Sequence, residues 1–94
     1  MNVLVTGATG FLGKNLVPVL RDKYSVFGVG SKFWDLREQD TCRRLIDQAE
    51  PEVIVHAAGS VGGILANREN PGKFMYENLI MGANLIEAAR KAEV

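Results

Sequence analysis

Ninety-four residues carry eleven basic and eleven acidic side chains, for a formal net charge of zero, and 47% of the chain is apolar. That composition suits one small globular domain and lacks the basic stripe that nucleic acid or an anionic membrane requires, so neither is expected as a partner. The single cysteine, Cys42, excludes a disulfide framework and fits a reducing, cytoplasmic setting; no apolar run approaches a membrane span, and no leader is expected ahead of the first strand.

The chain then alternates strand and helix patterns. An apolar run predicts a strand over Asn2 to Thr6, which breaks into Gly7-Ala8-Thr9-Gly10-Phe11-Leu12-Gly13. In such a turn one glycine serves the sharp bend, one the close approach of a diphosphate, and one the packing of the following helix on the strand. Amides at the helix start favour an anion. The first helix is predicted from near Phe11 to Arg21, with a local kink at Pro18 but no break. A second strand, Ser25 to Val29, leads through Gly30-Ser31-Lys32 to Phe33-Trp34-Asp35, read as loop or edge. The next helix, about Glu38 to Ala49, carries Cys42, Leu45, Ile46 and Ala49 at helical spacing and stops at Glu50-Pro51. A third strand is predicted over Glu52 to Ala58. Asn70-Pro71 predicts the start of a last helix that runs to about Ala92, with Met75, Leu79, Gly82, Leu85, Ile86 and Ala89 as its inward stripe.

Right-handed crossovers place three such strands in a parallel sheet of order 2-1-3, with the first helix on one face and the other two opposite. The fold class is therefore α/β, three layers around a partial sheet. The winding direction reverses beside the first strand, and an open α/β sheet takes its ligand at that switch point. Here the glycine turn stands on one side of the expected crevice and His56-Ala57-Ala58-Gly59 on the other.

The end of the second strand decides which nicotinamide dinucleotide fits, because a carboxylate there holds a ribose 2′-hydroxyl. Gly28 to Lys32 contains none, while Ser31 and Lys32 suit a 2′-phosphate; NADP is therefore expected, with NAD as the alternative. Asp35 either touches adenine or caps the next helix, with Glu38 completing a capping box. Ala57, Ala58 and Gly59 are small enough for a ribose or nicotinamide to lie against the backbone. His56 reads as a hydrogen-bonded structural residue. Asn78 is expected on the inward face of the last helix, bonded to a carbonyl near the site. No residue is assigned to a metal.

Thr6-Gly7-x-x-Gly10-x-x-Gly13, Asp35-Leu36, His56-Ala57-Ala58, Asn78 and Asn84 resemble the extended short-chain dehydrogenase/reductase family of nucleotide-sugar epimerases, dehydratases and reductases. Within it, Val61-Gly62-Gly63-Ile64-x-Ala66-Asn67 and Pro71-x-x-Phe74-x-x-x-Asn78 resemble the GDP-L-fucose synthases. The resemblance implies a Rossmann-type domain and NADPH-dependent conversion of GDP-4-keto-6-deoxy-D-mannose to GDP-L-fucose by a homodimer. Another NAD-dependent nucleotide-sugar epimerase or dehydratase, or a non-catalytic dinucleotide module, are the alternatives. It further implies that Gly7, Gly10, Phe11, Leu12 and Gly13 lie at the diphosphate, Asp35 and Leu36 at the adenine, and Ala57 and Ala58 at the cofactor's inner half; Thr9 and Gly59 complete the expected cofactor-binding set. Gly62, Gly63 and Asn67 would border the nucleotide sugar. Two positions depart from that pattern: Thr9 stands where arginine is frequent, and Ser60 where lysine is.

The family's catalytic serine and Tyr-x-x-x-Lys pair have no counterpart here. Residues 1–94 are read as the amino-terminal part of a dinucleotide-binding domain, with no catalytic residue and no expected activity alone. Tyr24 and Tyr76 do not fill the gap, since Gly28 and Ile80 stand four residues after them.

Overall fold

The computed structural model describes residues 1–59 and 69–94. The order is β1 (Asn2–Thr6), α1 (Phe11–Arg21), β2 (Ser25–Val29), α2 (Gln39–Ala49), β3 (Val53–His56) and α3 (Pro71–Lys91). The strands form one parallel sheet in the order β2-β1-β3, as expected. Its register sets Thr6 level with Val29 on one side and His56 on the other, so all three strands end at one edge.

β1 is central, which explains its uninterrupted apolar run: covered on both faces, it has no side that could be polar. Val3 and Val5 point to α1, where they meet Val17. Leu4 points the other way, into a cluster of Leu36, Cys42, Leu45, Ile46, Met81 and Leu85 supplied largely by α2 and α3. Helices therefore lie on both faces, in the predicted one-against-two arrangement.

α1 continues through Pro18, which lies on the exposed side of the helix. α2 begins one residue later than predicted and ends where Glu50 turns left-handed (φ 45°, ψ 54°), its amide still donating to Ile46 O at 2.9 Å. Pro51 excludes a further helical turn there. β3 is shorter than predicted at both ends; past its carboxyl end the Ala58 amide bonds the Thr6 hydroxyl in place of a backbone carbonyl.

The inward face of α3 differs from the expected one. Met75, Leu79 and Ile86 are exposed, at 66%, 62% and 71%, whereas Met81, Asn84 and Leu85 are buried. The helix is apolar on two sides. A buried asparagine on the packed side made that side look polar in the sequence.

Candidate functional site

The glycine turn is built by two backbone constraints. Gly7 sits at φ 68°, where a side chain is strained, and a methyl group on it would come within 2.6 Å of the Ala57 and Ala58 backbone. Gly13 is buried at the start of α1; a methyl group there would fall on the Gly7 carbonyl oxygen and within 2.7 Å of Ala8 Cα. Gly10 differs, since a methyl group on it would meet only Gly7 O, at 3.4 Å. The loop is tied down by Ala8 N donating to Val29 O (2.9 Å) and Gly10 N donating to Gly7 O (3.1 Å).

Gly10 caps α1 in an extended conformation, and the first turn of the helix has no acidic side chain. Its amides, which a helix cannot satisfy internally, thus face outward with the positive end of the helix dipole undiminished. The open side of Gly10 is the space a diphosphate would need, so the turn fits such a group.

A cleft of about 290 Å³ opens beside this turn, at the carboxyl ends of the strands. Thr6, Gly7, Val29 and Gly30 form its floor, Ser31, Trp34, Asp35, Leu36 and Arg37 one wall, and Ala58, Gly59, Glu77 and Met81 the other. It lies at the switch point where the sheet changes winding direction, as expected.

Charge in the cleft is organised around Arg37. Its Nε and Nη2 donate to Asp35 Oδ1 and Oδ2, both at 2.9 Å, and its Nη1 stands 3.8 Å from Glu77 Oε1. Hydrogen bonds from the Arg37 guanidinium hold the Asp35 carboxyl below its usual range, against partial burial. Asp35 therefore forms no capping box: its Oδ1 accepts from Arg37 N at 3.0 Å, and Glu38 caps α2 without a side-chain bond.

On the floor, Thr6 is fully buried and its hydroxyl lies 2.7 Å from His56 Nδ1 while accepting from Ala58 N at 3.2 Å. Burial lowers the His56 pKa, which favours the neutral ring at pH 7, and the Thr6 hydroxyl and Nδ1 share one hydrogen bond whose direction the ring tautomer sets. That arrangement fixes the turn after β3 and assigns His56 the expected structural role.

Of the residues singled out in the sequence, Gly7, Ser31, Asp35, Leu36, Ala58 and Gly59 come together in the cleft lining. Thr9 stands beside it, its hydroxyl where a methyl group on Gly30 would lie. Phe11 and Leu12 are exposed at the start of α1. Ala57 meets the glycine turn, its amide donating to Thr6 O at 3.2 Å. Lys32 is outside the lining, its ammonium 5.5 Å from the centre of the Phe33 ring. Gly62, Gly63 and Asn67, with Ser60, lie outside the described residues.

The two asparagines of the resemblance fall on different faces of α3, and Asn78 is not on the inward one where it was expected. Asn78 is exposed, with its side-chain oxygen close to Gly59, while Asn84 is the buried amide. Arg37 and Glu77 were not foreseen as cleft residues; the only sequence signal was Arg37 two positions after Asp35. Tyr24 precedes β2 at the opposite edge of the sheet, and Tyr76 is 67% exposed.

A profile of the NAD dependent epimerase/dehydratase family matches residues 3–94. The chain is 44% identical over 91 residues to a GDP-L-colitose synthase of Yersinia pseudotuberculosis, covering 96% of this chain and 30% of that protein. It is 36% identical over 93 residues to a GDP-L-fucose synthase of Azorhizobium caulinodans, covering 98% and 30%. A crystal structure of a GDP-L-fucose synthetase from Naegleria fowleri bound to NADP superposes with a TM-score of 0.79 at 31% identity, over 93% of this chain and 29% of that one. The chain thus spans about 30% of the length of the curated relatives it matches. Its glycine turn, its sheet order and the match along nearly its whole length make it a member of the NAD dependent epimerase/dehydratase family.

Proposed function

We propose that these residues form the dinucleotide-binding part of an NADPH-dependent nucleotide-sugar epimerase/reductase that converts GDP-4-keto-6-deoxy-D-mannose to GDP-L-fucose. The observation that carries this reading is the cleft itself, where Gly7 of the glycine turn that leads into α1, the Asp35 carboxylate and Ser31 line one concave surface at the switch point. The GDP-L-fucose synthase relatives support the sugar. A bound nicotinamide supplies the hydride. The chain's own residues bind and orient: the turn from Gly7 to Gly13 holds the diphosphate, Asp35 and Leu36 the adenine, Ser31 and Lys32 the 2′-phosphate, and Ala57 to Gly59 the inner half. Gly62, Gly63 and Asn67 are assigned to the sugar. The proton donor and acceptor come from elsewhere in the intact protein. A homodimer belongs to the same reading, and the exposed stripe Met75, Leu79 and Ile86 offers it an apolar surface.

The test supplies the intact protein with NADPH and GDP-4-keto-6-deoxy-D-mannose and identifies the product by chromatography. GDP-L-fucose is expected, and no turnover from residues 1–94 alone. GDP-rhamnose would mean reduction without epimerisation, and activity confined to UDP- or dTDP-sugars would move the protein to another branch of the family. Because one relative is a GDP-L-colitose synthase, the 3-deoxy analogue of the substrate is run beside it.

A second reading, NAD as cofactor, is favoured by one observation: two carboxylates, Asp35 and Glu77, share the single Arg37 at the cleft wall. Lys32→Glu separates the two. With NADP, its affinity falls by about 1 to 3 kcal/mol while that of NADH is unchanged, because a charge-assisted bond to the phosphate is lost. Equal losses in paired titrations would leave Lys32 a solvated loop residue on the Phe33 ring.

A further inference from the structure

The segment between β2 and α2 has no regular hydrogen-bond ladder, yet it presents Asp35 to the cleft, so something else must fix it. Beyond its own turns, where Trp34 N donates to Gly30 O at 3.3 Å and Glu38 N to Asp35 O at 3.1 Å, the bonds that do so come from behind. Asn84 of α3 is 5% exposed and donates its amide hydrogens to Leu36 O at 3.0 Å and Arg37 O at 2.9 Å. The Cys42 thiol, from α2, points at the same Leu36 carbonyl at 3.4 Å. Asn84 is not among the residues that line the cleft.

A trans peptide aims its C=O and the next N–H in opposite directions. With Leu36 O drawn back to Asn84, Arg37 N is turned the other way, where it donates to Asp35 Oδ1 at 3.0 Å. One rigid peptide unit therefore transmits the position of a buried amide to a carboxylate at the cleft.

The geometry points to Asn84 as a positioning residue that sets the Asp35 carboxylate for recognition of an exocyclic amine, such as the 6-amino group of adenine, on a bound dinucleotide. It acts through the Leu36–Arg37 peptide and touches no ligand itself. The inference rests on the cofactor reading above and adds the residue that makes this wall of the cleft selective.

The experiment compares NADPH with its deamino analogue, in which hypoxanthine replaces adenine, on the intact protein. Wild type should prefer the adenine form by about tenfold, the scale of one hydrogen bond to a charged acceptor. Asn84→Leu keeps the branched shape, with somewhat more bulk, and removes both donors; it should bring the preference close to unity, as should Asp35→Ala. In the double variant the second change should have no further effect on the ratio. Asn84→Ser, which retains one donor and is smaller, gives an intermediate ratio and covers the case in which the leucine variant does not fold.

If Asn84 only stabilises the fold, both dinucleotides lose affinity equally and the ratio stays at the wild-type value, which overturns the inference while leaving the cofactor reading intact. A wild type that discriminates while the Asn84 and Asp35 effects simply multiply also overturns it. A wild type that binds neither NADPH nor NADH removes the cofactor reading, and the inference with it.

Discussion

Gly13→Ala is expected to destabilise the protein by about 3 kcal/mol, at the upper end of the range for overpacking a close contact. The added methyl would land on backbone atoms, the Gly7 carbonyl and Ala8 Cα, and not on a side chain able to rotate away. Relief requires α1 to move off the glycine turn, which would pull Val17 from Val3 and Val5. Gly10→Ala should behave oppositely. Its methyl meets only Gly7 O at ordinary contact distance, so stability should change by no more than about 0.5 kcal/mol, while the space proposed for the diphosphate is filled and cofactor affinity falls. Urea unfolding and cofactor titration on both variants of the intact protein decide the matter. A Gly13→Ala protein that unfolds like its parent, or a Gly10→Ala protein that binds cofactor like its parent, would overturn the assigned roles.

The elements were legible because each rests on local chemistry. A strand covered on both faces must be apolar throughout, and Val3, Leu4 and Val5 are. Asn70-Pro71 stands at the start of α3, where the Asn70 carbonyl accepts from Phe74 N at 3.2 Å. Handedness of the crossovers then leaves one strand order. The face of α3 was not legible, since periodicity counts apolar residues and cannot see that Asn84 satisfies its amide on two loop carbonyls. Once paired, a buried amide no longer carries the cost that makes polar residues read as surface. The cleft wall failed for a related reason. Arg37 and Glu77 lie 40 positions apart in sequence, and only the packing of α3 against the loop after β2 brings the guanidinium within 3.8 Å of the carboxylate. Residues fixed by backbone needs, such as Gly7 and Gly13, can be read from the chain. Residues fixed by a long-range partner cannot.

Raising the pH should destabilise the protein through Cys42 before any reagent reaches the thiol. Cys42 is fully buried, and burial, with the Asp35 carboxylate as a second cause, pushes its pKa from 9.0 up to about 11. The thiol also points at Leu36 O, a bond that a thiolate would turn into repulsion between two acceptors. Above pH 9 the unfolded chain gives up this proton while the native state keeps it until about 11. The unfolded state then binds fewer protons, so stability is complete below pH 9 and falls across that window. A displacement of this size corresponds to about 2 to 3 kcal/mol. Unfolding free energies of wild type and Cys42→Ala, followed from neutral pH to about 11, isolate the contribution, because lysines and tyrosines titrate alike in both. The wild type should lose more with rising pH than the variant, and the gap between them should close. Parallel curves would mean that Cys42 titrates as an ordinary thiol.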